Sequence, residues 1–355
     1  MIPITFKAGD HTFFNATKRS VDDYFDSRNL KKTGSPGLFM KTTFYIASAF
    51  LVYYLLLFGH YAILIQILLC ILLGFVLAFI AINVMHDANH GSFSESKRTN
   101  YIMGLTMNAL GSNAFIWKIR HNLHHTFTNV DGIDYDIANW PLFRQAPTQS
   151  WKPIHRYQHL YMLPLYGFNT LEWLLVSDFV NYFTKRIANI AIQKISLQEH
   201  LIFWGSKAIC LLGYILIPAW LLGWQNALIG FFIVQFTMSF ILTVVFQLAH
   251  LVTNTSFESA GLEPKQLETD WAVHEVMTSS NFATNNKLLN WFAGGLNFQI
   301  EHHLFPNISH VHYPAISEIV RKECIRHDLP YHSYPTLSAA FTSHVQYMKK
   351  LGLPD

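Results

Sequence analysis

Charge is what this chain has least of. Asp, Glu, Lys and Arg make up 13% of its 355 residues, against about a quarter in soluble domains, and that excludes an ordinary soluble fold. The two signs nearly cancel, leaving a net charge of +3, so nucleic acid is excluded as a partner. Cysteine is scarce. Cys70, Cys210 and Cys324 are scattered, two of them inside apolar runs, and give neither a disulfide framework nor a thiolate metal site. There is no convincing Gly-rich phosphate loop and no His-Glu-x-x-His zinc-protease signature. The first forty residues lack the apolar core of a signal peptide, carrying instead Asp10, Asp22, Asp23, Asp26 and several Lys and Arg. Amphipathic stretches in this segment are expected to lie on a membrane surface. No internal repeat or low-complexity tract is present.

What the chain has in abundance is apolar residues, 51% of the total, with a mean hydropathy of +0.21. A spanning helix needs about 20 apolar residues, and four windows qualify: 38–58, 61–84, 204–222 and 226–249. Lys41 at the edge of the first is expected to snorkel. Short turns around Gly59-His60 and Gly223-Trp224-Gln225 join the windows into two hairpins. Every Lys and Arg except Lys207 falls before residue 42, between 85 and 200, or after 250. The positive-inside rule then puts both termini and the segments 1–37, 85–203 and 250–355 in the cytoplasm. Residues 101–119 and 156–184 are expected to lie along the interface. The fold class is therefore an all-α membrane protein, one domain over 1–355, with four transmembrane helices and a cytoplasmic helical cap.

Three short clusters carry the chemistry: His86-Asp87-Ala88-Asn89-His90, His121-Asn122-Leu123-His124-His125, and Gln299-Ile300-Glu301-His302-His303. Residues at i, i+3 and i+4 share one helical face, so each cluster can aim two or three donors at one locus. Neutral imidazole is the commonest protein metal ligand. Seven histidines (His86, His90, His121, His124, His125, His302 and His303) exceed the four ligands of a tetrahedral zinc. They suit two metals of higher coordination number with open positions, which points to a redox-active pair, iron first. All three clusters fall on the same side of the membrane.

His250, at the end of the fourth window, is an eighth ligand candidate, with a helix-capping role as the alternative. Gln247 one turn earlier could hydrogen-bond in the site or hold a metal-bound water. Gln299, Asp87 and His274 are further candidates for support around the ligands, although His274 lacks paired spacing and is read first as structural. Asp87, Asp131, Asp134 and Asp136 could accept hydrogen bonds from ligand histidines and fix their tautomers, or be solvated carboxylates. His310 and His312 are read as surface or supporting residues. His60, His155, His159, His200, His327, His332 and His344 are read as interfacial or hydrogen-bonded.

These residues also resemble a known family. HDANHG at 86–91, RHNLHHTFTN at 120–129, FQLAH at 246–250, NFATNN at 281–286 and WFAGGLNFQIEHHLFPNISHVHYP at 291–314 are similar to the motifs of membrane fatty acid desaturases, in particular the front-end, delta-6-like acyl-lipid branch. The resemblance covers nearly the whole chain. It implies that the seven clustered histidines bind two irons, that His250 matches a further histidine after the last helix, and that Gln299 is the mark of the front-end branch. It implies O2 as co-substrate and a fatty acyl lipid or acyl-CoA as substrate, with a cis double bond made by removal of hydrogen from unactivated methylenes. No His-Pro-Gly-Gly haem segment occurs in the sequence, so electrons are expected from a separate ferredoxin or cytochrome b5. Lys118, Arg120, Arg144, Lys152 and Arg156 are expected to form a basic rim facing lipid headgroups, or alternatively to dock that acidic carrier. Three rivals remain: a di-iron hydroxylase or ketolase, which would leave oxygen in the product; a haem-binding membrane electron carrier, with one histidine on each of two helices; and a metal transporter, which should hold its ligands near the bilayer midplane.

Overall fold

The computed structural model describes residues 4–9, 11–138, 140–188, 190–192, 194–261 and 265–354, so Asp10 lies outside the described residues. The first ordered helix, α1 (Thr12–Ser27), places Phe13, Thr17, Val21 and Phe25 on one stripe, the i, i+4 repeat of an amphipathic helix. It is followed by α2 (Pro36–Phe58), with proline in its first turn, where a missing N–H costs nothing. Next come α3 (Ile63–His90), α4 (Ala114–Thr126), α5 (Leu197–Leu222) and α6 (Trp224–His250). Then follow the shorter α7 (Trp271–Thr278), α8 (Gln299–Leu304) and α9 (Tyr313–Arg326).

Helices α2, α3, α5 and α6 are each long and apolar enough to cross a membrane, and only 17–39% of their apolar windows is buried within the protein. Met40, Phe44, Phe50, Leu64, Trp220 and Ile229 all face outward. That inverted pattern, apolar outside and polar groups satisfied within each helix, belongs to lipid-facing helices. At the centre, α3 crosses α6 closely at Gly74, where a Cβ would stand 2.6 Å from Thr237 Cβ and 2.8 Å from the Val234 carbonyl. Small residues at such crossings let two backbones approach.

The four windows read from hydropathy are present, with longer ends. The second continues beyond Val84 through His90, and the third begins at Leu197 rather than 204. A hydropathy window stops where polar side chains begin, whereas the hydrogen-bonded ladder of α3 continues because those side chains are buried under the cap. Lys41 does not snorkel: its Nζ donates to Asn83 Oδ1 at 2.5 Å and to the Trp291 carbonyl.

The cap is tied together by two-stranded pairings of residues distant in sequence: Ile4–Thr5 with Lys265–Gln266, Val130–Asp131 with Glu258–Ser259, and Asn281–Phe282 with Ser333–Tyr334, all parallel. A local antiparallel pair joins Arg186–Ile187 to Ile190–Ala191. The stripe of α1 is buried against Ile316, Val320 and Cys324 of α9 and Val276 of α7. The N-terminal segment therefore packs on the cap and not on a membrane surface: its apolar face already has a protein partner, worth roughly 1.5–3 kcal/mol for each fully buried large side chain. Residues 101–119 form short helices leading into α4, whose start is capped by Asn113 Oδ1 accepting from the Ile116 N–H at 3.0 Å. The stretch 156–184 runs beside α6: Thr170 Oγ1 donates to Gln235 Oε1 at 2.9 Å, and Ser239 Oγ donates to the Tyr166 carbonyl at 2.7 Å.

Candidate metal centre

The site is built where α3 and α6 end. Just before His86, α3 widens into one i→i+5 turn, Ala81–Met85. Such a turn shifts the helical register and is common at functional sites. His86 and His90 follow on the last turns, while α4 brings His121, His124 and His125 to the same place. From across the cap, α8 brings Gln299, His302 and His303, and α6 ends on His250. The seven histidines singled out by spacing and His250, singled out by its place at a helix end, converge in two adjoining groups: His86, His90, His121, His125 and His302 in one, and His124, His250 and His303 in the other.

Within each group the candidate donor atoms lie within 4.8 Å of one another. His121 Nε2 stands 3.1 Å from His86 Nε2, 2.9 Å from His90 Nε2 and 3.1 Å from His125 Nε2. Two nitrogens each about 2.1 Å from a common ion and at right angles are about 3 Å apart, so these spacings outline a coordination shell. Gln299 was placed beside the ligands by sequence, but its amide nitrogen stands 3.0 Å from His250 Nε2 and 3.2 Å from His303 Nε2, as close as the histidines stand to each other. Buried His124 Nε2, His302 Nε2 and Gln299 Oε1 have no hydrogen-bond partner among the described residues. Buried polar atoms are rarely left so, and a cation between the groups would satisfy them. The donor set fits a pair of metal ions.

The far side of four of these rings is held. His124 Nδ1 lies 2.9 Å from Asp134 Oδ2, His303 Nδ1 2.6 Å from Glu275 Oε2, His302 Nδ1 3.1 Å from Tyr313 Oη, and His250 Nδ1 3.2 Å from the Thr278 carbonyl. An Nδ1–H donated outward leaves the Nε2 lone pair facing the centre. Burial, and then the neighbouring imidazoles, push His121, His125, His302 and His303 well below the usual histidine range, so these rings are neutral and available as donors. Burial also acts on His124, but Asp134 outweighs it and leaves that group raised.

The supporting residues read from sequence divide. Asp134 accepts from a clustered histidine, as expected, whereas Asp131 accepts from Thr148 and Gln149. Among the described residues Asp87 accepts from no clustered ring: its Oδ2 takes Ser309 Oγ at 2.7 Å and His310 Nδ1 at 2.9 Å, tying α3 to the cap. His274 Nε2 donates to the Thr128 carbonyl at 2.8 Å. Its neighbour Glu275 is the residue that matters, and nothing in the sequence marks it, because a buried acid has no spacing signature. His155 and His344 are hydrogen-bonded, as read, and buried: His155 Nε2 donates to the Pro141 carbonyl and His344 Nδ1 to the Leu251 carbonyl. The basic rim also needs correcting. Arg144 is buried, its guanidinium donating to the carbonyls of Gln149, Pro147, Leu351 and Leu353, and Arg120 is buried beside Asp136, so neither faces headgroups or a carrier. Lys118, Lys152 and Arg156 are exposed.

A cavity of about 340 Å³ reaches the larger group at His86 and His121 and passes Gln299 beside the smaller one; Gln247 also lines it, and the rest of the wall is mainly apolar side chains such as Met107, Leu110, Met238 and Phe246. Gln247 Oε1 has no partner among the described residues. Clustered imidazoles that could hold metal ions thus stand at the wall of a mainly apolar cavity.

The fatty acid desaturase family model matches residues 61–335, more than half of the chain. The chain belongs to the fatty acid desaturase family. The desaturase is 33% identical to an sn-1 linoleoyl-lipid 6-desaturase of Synechocystis sp. over 99% of this chain and 98% of the relative. It is 34% identical to an acyl-lipid (8-3)-desaturase of Physcomitrium patens over 98% of this chain and 73% of the relative. To an acyl-lipid (8-3)-desaturase of Mortierella alpina it is 29% identical over 96% of this chain and 78% of the relative. The desaturase is therefore an oxidoreductase that introduces a double bond into a fatty acyl chain.

Proposed function

We propose that this desaturase acts on an ester-linked acyl chain of a membrane lipid and sets a cis double bond between an existing one and the carboxyl end. His86, His90, His121, His125 and His302 would hold one iron, and His124, His250, His303 and the Gln299 amide oxygen the other. The observation that carries this is a mainly apolar cavity whose wall holds His86 and His121 of the larger histidine group and Gln299, the neighbour of the smaller one. The names of the relatives, acyl-lipid and linoleoyl-lipid desaturases, support the lipid substrate and the front-end position.

When bound, the two irons supply the oxygen-activating and hydrogen-removing chemistry that no side chain possesses. The protein does the rest. The Nδ1 bonds to Asp134, Glu275, Tyr313 and Thr278 orient the rings, and the cavity holds the chain so that one pair of methylenes is presented. Its apolar wall excludes water from the reacting carbons. Overall, two hydrogens leave the acyl chain, and O2 with two electrons and two protons becomes two waters. The electrons would come from a separate ferredoxin or cytochrome b5. The distribution of Lys and Arg supports a single multi-pass domain over 1–355 with both termini and the metal site in the cytoplasm.

Expression in a host of defined lipid composition, followed by gas chromatography of its fatty acids, tests this directly. The expected products carry a new double bond on the carboxyl side of an existing one. New unsaturation only toward the methyl end would reject the front-end assignment.

A further inference from the structure

The cavity has one exposed rim. Of the residues that line it, Trp140, Leu142 and Phe168 are exposed and the others are half-buried or buried. The rim is apolar, and Phe168 lies against Phe232 and Phe236 of the lipid-facing α6, so the mouth opens toward the bilayer. Both walls then change character within four residues of the rim. From Trp140 the chain runs back to Asp136, and from Phe168 it runs forward to Glu172 and Trp173, all of them lining the cavity. Arg120 sits between these two walls.

Arg120 is 6% exposed and lines the cavity. Its guanidinium lies 4.4 Å above the Trp173 ring and 5.5 Å from the Tyr135 ring. Its Nε is 3.3 Å from Asp136 Oδ1, but off-line, and that buried N–H has no hydrogen-bond partner among the described residues. Buried Arg144 is the contrast, since backbone carbonyls accept from its guanidinium on several sides. A guanidinium carries five donors, and among the described residues that of Arg120 is paired only with Asp136 through Nε, so in a substrate cavity its remaining N–H groups are set up for an acceptor that arrives with the substrate. Asp136 already balances its charge and Glu172 adds another carboxyl nearby, so a neutral acceptor suits it better than a carboxylate or phosphate. In an acyl lipid that acceptor is the carbonyl of the acyl ester.

We propose that Arg120 holds the acyl carbonyl near the cavity mouth and thereby sets the carbon from which the double bond is counted. The methyl end would extend toward the fully enclosed lining of Met107, Leu110 and Met238. This rests on the front-end reading above and explains it physically: a chain fixed by its carbonyl presents the same carbon to the metals whatever its length. Arg120 precedes His121 on α4, and Asp136 Oδ2 lies 3.9 Å from His124 Nδ1, so the anchor is built into the scaffold that carries the metal ligands.

The test compares wild type, Arg120→Gln and Arg120→Lys in host membranes supplied with linoleate, reading iron per chain and double-bond position by mass spectrometry of derivatised fatty acids. Wild type should give one position counted from the carboxyl end. Arg120→Gln should keep its iron, lose about tenfold or more in turnover at limiting substrate, and spread its products over neighbouring positions. Arg120→Lys should restore part of the selectivity. Unchanged positional selectivity in Arg120→Gln would overturn the proposal, as would loss of iron in both variants, which would make Arg120 a mere support of His124. A wild type that makes no front-end product would instead remove the reading on which the proposal rests. Offering linoleoyl phosphatidylcholine vesicles and linoleoyl-CoA separately to the same membranes tells an ester carbonyl from a thioester one.

Discussion

The amide of Gln299 meets His250 Nε2 at 3.0 Å, bringing the first residue of the third cluster to the last residue of α6. With His303 at 3.2 Å from the same amide, Gln299 occupies the place a fourth imidazole would take in the smaller group. Gln299→Ala should therefore lower bound iron from about two ions per chain toward about one and abolish product. Metal analysis of the purified variant checks this, and full iron content would refute the role.

His124 and His303 both belong to the three-histidine group. Alanine at either position should eliminate double-bond formation while the protein still inserts in membranes, as read by fractionation and fatty-acid profiling. Retained activity would refute their assignment as ligands.

Glu275 offers a subtler lesion. It accepts from His303 Nδ1 at 2.6 Å and from Thr128 Oγ1 at 2.7 Å, and burial raises it well above the usual carboxyl range. Partners of metal-bound histidines typically matter by about 10- to 100-fold in affinity or activity. Glu275→Gln should fall in that range while leaving folding intact, and iron retention against a graded chelator series measures it.

The metal-free protein should lose stability in acid. His121, His125, His302 and His303 are held neutral well below the ordinary 6.5. Below that pH the unfolded chain takes up protons that the folded one does not, so stability is complete above it and declines as pH falls. Iron affinity should decline in the same direction, since protons compete for the same nitrogens. Thermal unfolding in detergent across pH 5–8 reads the first effect, and a flat profile would contradict the burial of these rings.

Gly74 tests the membrane half. Gly74→Leu would drive a side chain into Thr237 and the Val234 carbonyl. Overpacking of this kind costs about 1–3 kcal/mol, visible as a lowered thermal midpoint. An unchanged midpoint would mean that α3 and α6 separate easily.

Much of this could be read from spacing alone. The i, i+3 and i+4 pattern marked the clustered histidines because helices repeat, and the apolar windows marked the four long helices because lipid tolerates nothing else. The division into five and three nitrogens could not be read, since it depends on how α8 crosses α4. Nor could Glu275 and Tyr313, which reach His303 and His302 from the helices before and after theirs, off the i, i+3 and i+4 spacing. Arg120 and Arg144 looked like surface charge because a sequence does not record which cations find buried partners. The end of α3 was missed for a related reason: His86 and Asp87 are polar by composition yet enclosed by the cap.

The seam between Thr12–Ser27 and Tyr313–Arg326, reinforced by the pairing of Ile4–Thr5 with Lys265–Gln266, makes an early part of the polypeptide wait for a much later one. Contacts across such long loops form slowly, so this seam closes only after translation has passed α9. A ribosome-bound chain halted before that point would carry its long apolar helices without it.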